Sequence, residues 1–175
     1  MITNDMQLLD NGKSCIYTLF LNKLGRILYD SIIYKRSDVT ADKEEFLIEC
    51  DKEVAANLVR HLKLYRVRRK VDISLSDEHD LWCLQSNSLP ADSSSIFVYE
   101  DPRLKAIGSR VISTKNEDLR KSLKDVSDGN EDDYIAHRYQ LGVGEGIVDI
   151  PPEKSFPMEA NCDFFNALIM FDLIL

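Results

Sequence analysis

The sequence predicts an α+β fold, a mostly antiparallel sheet with two or three helices. Three observations carry this. Short runs of β-branched and aromatic residues recur along the chain and are joined by short turns. A single stretch, Val54, Leu58, Leu62 and Tyr65, repeats apolar residues at helical spacing. Glycine and proline concentrate late in the chain, where three of the seven glycines and three of the five prolines fall within 142–157.

The first strand is Cys15-Ile-Tyr-Thr-Leu-Phe-Leu21, followed by the Gly-containing turn 22–25 and a second strand from Arg26 to about Arg36. Alternation places Leu28, Asp30, Ile32 and Tyr34 on one face of that hairpin strand, with Ile27, Tyr29, Ser31 and Ile33 on the other. A third strand is expected at 46–50, and Asp51 reads as the N-cap of a helix from Lys52 to about Leu64. Residues 71–75 alternate as a strand does; 81–84, 96–99 and 110–113 are further strands, with a polar loop from Ser86 to Ser95. Asp101-Pro102-Arg103 is a turn. Residues 116–133, with seven acids and three bases, read as an acidic connector holding at most one helical turn, ahead of a second helix from Tyr134 to about Leu141. The stretch 142–157 is expected to be irregular, and 164–175 is apolar except for Asn166 and Asp172.

A chain of 175 residues suits one domain, and 44% hydrophobic with 30% charged residues is an ordinary globular composition. Thirty acids against 22 bases give a net charge of −8, which argues against binding nucleic acid through its phosphates. No apolar run approaches the ~20 residues that span a bilayer. Residues 1–6 have neither the basic region nor the apolar stretch of a secretory signal, nor the Arg-rich look of a transit peptide. The cysteines, Cys15, Cys50, Cys83 and Cys162, are dispersed, which suits a reducing compartment.

Chemistry-bearing motifs are few. Gly142-Val-Gly-Glu-Gly146 lacks the Lys and the preceding strand of a phosphate loop, so a turn with positive φ is the favoured reading. His61, His79 and His137 show no metal-ligand spacing, and no nucleophile elbow occurs, so no catalytic or metal-binding residue is assigned. Arg60, Lys63, Arg66, Arg68, Arg69 and Lys70 form a basic run that is either a solvated helix end or a docking site for an acidic partner. Asp30 interrupts an apolar strand face, either as a hydrogen-bonded structural acid or as a ligand-facing one. Glu159 follows a Pro-rich loop; its spacing favours a helix-start acid, and a pocket acid that clamps a ring N–H pair is the alternative.

Several stretches together resemble one family. Leu21-Asn-Lys-Leu-Gly-Arg-Ile-Leu-Tyr-Asp30 with Ile33-Tyr34, Tyr65-Arg-Val-Arg-Arg-Lys-Val71, Asp101-Pro-Arg103, and His137-Arg-Tyr-Gln-Leu-Gly-Val143 are four of them. The last continues through Glu145-Gly146 and Asp149 to Pro157-Met-Glu-Ala-Asn161. They are similar to the folate-binding YgfZ/glycine-cleavage T-protein superfamily, in its eukaryotic iron–sulfur cluster assembly branch of CAF-seventeen-type transferase homologues. The resemblance runs from about residue 4 to about residue 166.

That resemblance implies a T-protein-like folate-binding domain over 1–163, with the acidic connector at about 115–133, and a divergent apolar tail over 164–175. The chain reads as a truncated form without the family's opening segment, its Lys-Gly-Cys-Tyr-Ile-Gly-Gln-Glu signature or its C-terminal β-barrel. Without those, Phe164, Phe165, Leu168 and Phe171 are expected to be poorly covered. The implied function is support of [4Fe–4S] protein maturation in the mitochondrial matrix, with A-type iron–sulfur scaffold proteins as partners and tetrahydrofolate as ligand; a folate-dependent aminomethyl or one-carbon transferase and a nonfunctional truncated isoform are the alternatives. Asn22, Asp30 and Glu159 are the implied folate-binding residues, with the two acids on one cavity and Asn22 at its rim. Arg66, Arg68, Arg69 and Lys70 are the expected partner-docking residues. No cluster is expected to be ligated by this chain alone, since such sites need several converging thiolates. Aminomethyltransferase members carry two adjacent acids where this chain has Tyr29-Asp30. A phenol with pKa near ~10 is no ionised carboxylate at neutral pH, which argues against aminomethyl transfer.

Overall fold

A computed structural model describes residues 2–36, 44–85, 95–115, 117, 119–123 and 127–168. Two three-stranded antiparallel sheets make its framework. The first has the order β1 (Cys15–Leu21), β2 (Ile27–Lys35), β3 (Phe46–Glu49). The second has the order β4 (His79–Leu84), β6 (Ser109–Thr114), β5 (Ile96–Glu100). Among the described residues five α-helical pieces accompany them, α1 (Gln7–Asp10), α2 (Ala55–Tyr65), α3 (Leu119–Ser122), α4 (Glu131–Gln140) and α5 (Gly146–Asp149), with two short 3-10 turns at Lys105–Ile107 and Pro157–Ala160.

All seven residues of β1 are buried, as expected of a strand covered on both faces. One face, with Tyr17, Leu19 and Leu21, meets Phe97, Tyr99 and Ile112 of the second sheet in the main core. On the other face Ile16 packs with Ile33 and with Leu9 of α1. The second sheet's outer side, Leu84, Ile96 and Val111, is closed by Leu119 of α3. The single helical turn expected in the connector therefore exists, and it covers a sheet.

The alternation read for β2 fails at one end. Pairing runs Phe20 with Tyr29 and then Leu21 with Ile27, so Leu28 is the extra residue of a β-bulge. The bulge flips the phase, and Ile27 rather than Leu28 joins Ile32 and Tyr34 in the main core.

Three further expectations are corrected. Asp51 does not cap α2. The helix begins at Ala55 after a turn, and Asp51 accepts instead from the amide of Glu53. Residues 71–75 form no strand, because alternation without a pairing partner leaves the backbone with nothing to bond. The second long helix starts at Glu131, ahead of Tyr134. Asn130 caps it, exchanging bonds of 3.0 Å each way with Asp133. Three of the seven acids read as connector, Glu131, Asp132 and Asp133, are its first turn, where negative charge favours the helix dipole.

The stretch 142–157 is irregular apart from the four residues of α5 and Pro157, which opens the short helix 157–160, and Gly142 and Gly146 take φ of 72° and 71°. Beyond it, Phe165 and Ala167 are buried in the main core while Phe164 is exposed, so the poor cover expected of Phe165 is not found. Asn4 ties this end down by donating to the Tyr17 and Asn166 carbonyls. The loop at 86–94, parts of the acidic stretch and Phe171 lie outside the described residues.

Candidate functional site

Where the two sheets meet, the core is not apolar. Asp101, Arg103, Arg110 and Arg138 are all at most 5% exposed. Arg110 gets there because it shares the inward face of β6 with Ile112, one pleat away. Asp101 and Arg103 arrive on the turn after β5. The turn is closed by the Arg103 amide donating to Asp101 Oδ1 at 3.0 Å. Arg103 grips Asp101 bidentately, Nε to Oδ1 at 3.0 Å and Nη2 to Oδ2 at 2.7 Å, while Arg110 Nε reaches Oδ2 at 3.1 Å.

Glu145, from the glycine-rich turn, closes the lattice. Its Oε2 accepts from Arg103 Nη1 at 2.6 Å, Arg110 Nη2 at 2.9 Å and the Tyr134 hydroxyl of α4 at 2.7 Å. Burial alone would raise this carboxyl, but the two guanidinium groups and the phenol override it and hold it at about 2. Glu49 on β3 joins through Arg110 Nη2 at 3.3 Å and accepts from the Tyr34 hydroxyl. Its carboxyl is pushed up by burial, only partly offset by Arg110. Arg138 completes the turn. Nη1 donates to the Val143 carbonyl at 2.8 Å and to Asp149 Oδ2 at 2.9 Å, and Asp149 also accepts from the Glu145 amide at 3.0 Å.

This lattice aims one amide at the acid singled out from sequence. The Gly146 N–H donates to both oxygens of Asp30, at 3.2 and 3.3 Å. The next amide, Ile147, donates to Asp51 Oδ2 at 3.1 Å. Asp30 is 8% exposed, and burial pushes its carboxyl up to about 6 despite the Gly146 bond. Its field also reaches Tyr17, Cys50 and Cys162. Burial first, and then Asp30, push the Cys162 thiol up to about 12. Burial pushes Cys15 and Cys50 to about 11, so at neutral pH these three thiols hold their protons.

The other sequence candidates are placed differently. Asn22 Oδ1 accepts from the amides of Leu24 and Arg26 and so shapes the hairpin turn. Glu159 is exposed and accepts from the Phe156 amide at 2.7 Å at the start of the short helix 157–160, the helix-start role its spacing favoured. An open cavity of about 420 Å³ lies between residues 12–15, 100–105 and Asn166; none of Asn22, Asp30 or Glu159 lines it. Arg66, Arg68, Arg69 and Lys70 are exposed at the end of α2. Tyr29 packs edge-on against His61 with ring centroids 6.2 Å apart. Burial raises its phenol, which therefore stays protonated.

Among the described residues no three His, Cys, Asp or Glu side chains gather as metal ligands, and no helix is long and apolar enough to cross a membrane. The sequence reading missed Arg103, Arg110, Arg138 and Glu145 as a unit. The available signals were Arg110 inside an apolar strand and the acid within the glycine turn.

The fold and this lattice describe an α+β protein whose buried charged side chains hold its sheets and turns together, with Asp30 a buried acid pushed up beside them. No family model matches the chain. Curated relatives do. It is 34% identical over 161 residues to "Iron-sulfur cluster assembly factor IBA57, mitochondrial" of Mus musculus, covering 87% of this chain and 44% of that protein. The human protein of the same name is 35% identical over 165 residues, with the same coverage. A homologue from Pyricularia oryzae is 35% identical over 167 residues, covering 92% of this chain and 42% of that one. The chain is homologous to these mitochondrial iron–sulfur cluster assembly factors over most of its own length. It spans less than half the length of the curated relatives it matches.

Proposed function

We propose that this protein acts in iron–sulfur cluster assembly in the mitochondrial matrix, supporting the maturation of [4Fe–4S] proteins together with A-type scaffold proteins. The observation that carries the reading is the similarity, across 87–92% of the chain, to relatives named for that assembly role. Tyr29, protonated where the aminomethyltransferases carry an acid, favours a supporting role over aminomethyl transfer by this chain.

A tetrahydrofolate-type ligand belongs to the same reading, with Asp30 as the carboxylate that meets the pterin. Asp30 suits it chemically. Its oxygens share one backbone amide donor at 3.2 and 3.3 Å, which leaves lone pairs on both to accept from a ring N–H pair. Asn22 and Glu159 act as positioning residues through the turns they hold.

Two experiments test this. First, the matching segment of the mouse relative is replaced by this chain, and aconitase and lipoyl-enzyme activities are measured in cells lacking that relative. Restored activity supports the assembly role; an imported, folded chimera that restores neither overturns it. Second, tetrahydrofolate is titrated calorimetrically into the 175-residue chain and into Asp30→Asn. Binding weakened about tenfold or more in the variant supports the ligand assignment, a loss of ~1.4 kcal/mol. Equal binding, or none to the parent chain, overturns it.

A further inference from the structure

The end of α2 carries a surface that the buried lattice does not use. Between residues 60 and 70 there are six cations, Arg60, Lys63, Arg66, Arg68, Arg69 and Lys70, and no acid, in a chain of net charge −8. Taking these six charges away leaves −14 for the rest of the molecule. All six side chains are exposed. The helix dipole accounts for cations in the last turn, such as Lys63. Its effect falls off within that turn, so Arg68, Arg69 and Lys70 are left without that explanation.

Large apolar side chains lie among the cations and just beyond them. Leu64 is 74% exposed, Tyr65 57%, Val67 81%, Val71 52% and Leu75 61%. Concentrated exposed apolar surface of this kind marks interaction sites. The segment is also held in shape. The Arg69 amide donates to the Arg66 carbonyl, and Arg66 Nη1 donates to the Val71 carbonyl, both at 3.0 Å. Together these bonds fold 66–71 into a hook. Val67 sits in the hook at φ 50°, a conformation unfavourable for a β-branched residue.

We propose that this hook is the docking surface for an acidic segment of a partner protein in which apolar side chains alternate with the carboxylates. Charge complementarity sets the sign of the partner, and the exposed Leu64, Val67 and Val71 set its apolar component. A narrow peptide fits the charge distribution better than a broad polyanion does. A lipid leaflet or a nucleic acid would bring many anionic groups against a body carrying −14, outside the reach of six cations. The proposal is independent of the ligand at Asp30 and of which partner supplies the segment.

The test uses the 175-residue chain and three probes. One is a fluorescein-labelled peptide of repeating Glu-Leu-Glu-Phe, the second the same length of polyglutamate, and the third a pair of anionic surfaces and polymers, phosphatidylserine vesicles and a single-stranded DNA. The Glu-Leu-Glu-Phe peptide is expected to bind most tightly, and to weaken several-fold between about 50 and about 200 mM salt. R66E/R68E/R69E/K70E should weaken it by about 30-fold or more, and L64S/V67S by about fivefold, since both the charge and the apolar contacts are removed at exposed positions. K23E/K52E/K154E, which changes charge elsewhere on the surface, should bind like the parent. A neutral variant, R68Q/R69Q/K70Q, with circular dichroism on every variant, separates lost docking from lost folding. Equal binding by the reversed-charge variant overturns the proposal, as does polyglutamate binding as tightly as the mixed peptide. Tighter binding to vesicles or DNA overturns it too, and reassigns the surface to that partner.

Discussion

Glu145→Gln should unfold this protein more easily at neutral pH and cost far less in acid. The carboxyl is held at about 2 against an ordinary 4.5, because Arg103 and Arg110 face it and Tyr134 donates to it. A lowered carboxyl contributes stability in full above its unfolded value and loses it as pH falls through its folded value. At ~1.36 kcal/mol per pKa unit the charge is worth about 3 kcal/mol. The side chain is 27% exposed, so solvent screening brings this to about 2–3 kcal/mol. Glutamine keeps the shape and one acceptor oxygen but behaves as the protonated acid at every pH. The deficit of the variant should therefore be about 2–3 kcal/mol at pH ~7 and fall by more than half by pH ~3. Urea unfolding of both proteins at the two pH values measures it; with m near ~2 kcal/mol/M the midpoint should drop by about 1–1.5 M at neutral pH. A deficit that is the same at both pH values, or below ~0.5 kcal/mol at neutral pH, would refute the claim that ionised Glu145 holds the lattice.

Three smaller predictions follow from the same geometry. Asp30 works with the opposite sign: its folded pKa of about 6 lies above the ordinary 3.8, so the parent chain should lose up to about 3 kcal/mol as pH rises from ~4 past ~6. Urea midpoints across that window should lack this slope in Asp30→Asn, and an unchanged slope would count against the burial argument. Gly108→Ala puts a methyl 2.6 Å from the Leu84 carbonyl oxygen at φ 116°, forcing β4 and β6 apart. A loss of about 2–4 kcal/mol in thermal or urea unfolding is expected. Asn130→Ala removes the cap of α4 and should cost about 1 kcal/mol by the same measurements.

The strands at 15–21 and 96–99 were legible because short continuous runs of apolar, β-branched and aromatic residues need no distant information. Asp30 was legible for a related reason, since a carboxylate among apolar strand neighbours needs a local explanation. Residues 71–75 show the limit of a local signal: alternation describes a surface that could pair and says nothing about whether a partner strand arrives. The β-bulge at Leu28 was equally hidden, and it decides which of Ile27 and Leu28 is core. The start of α4 was within reach, because Asn130 and Asp133 have the spacing of a reciprocal cap; their acidic surroundings disguised it as connector.

The lattice was out of reach for a different reason. Arg103 and Glu145 are 42 residues apart, Arg110 and Glu145 35, and Gly146 and Asp30 116. Arg110 within an apolar strand and Glu145 within the glycine turn flag buried charge locally, but no local pattern says which arginine meets which acid, and only the fold sets the pairing. That dependence runs into the candidate site itself. Glu145 fixes the turn whose next amide, Gly146, is the donor to Asp30, and its charge also helps raise the Asp30 carboxyl. Removing the Glu145 charge lowers Asp30 through the lost repulsion, whereas freeing the Gly146 amide raises it through the lost hydrogen bond. The direction in which Asp30 titration moves in Glu145→Gln therefore separates the two. A fall means the turn keeps its place without the ionised acid. A rise means the buried arginines, acting through Glu145, are what hold an amide against Asp30.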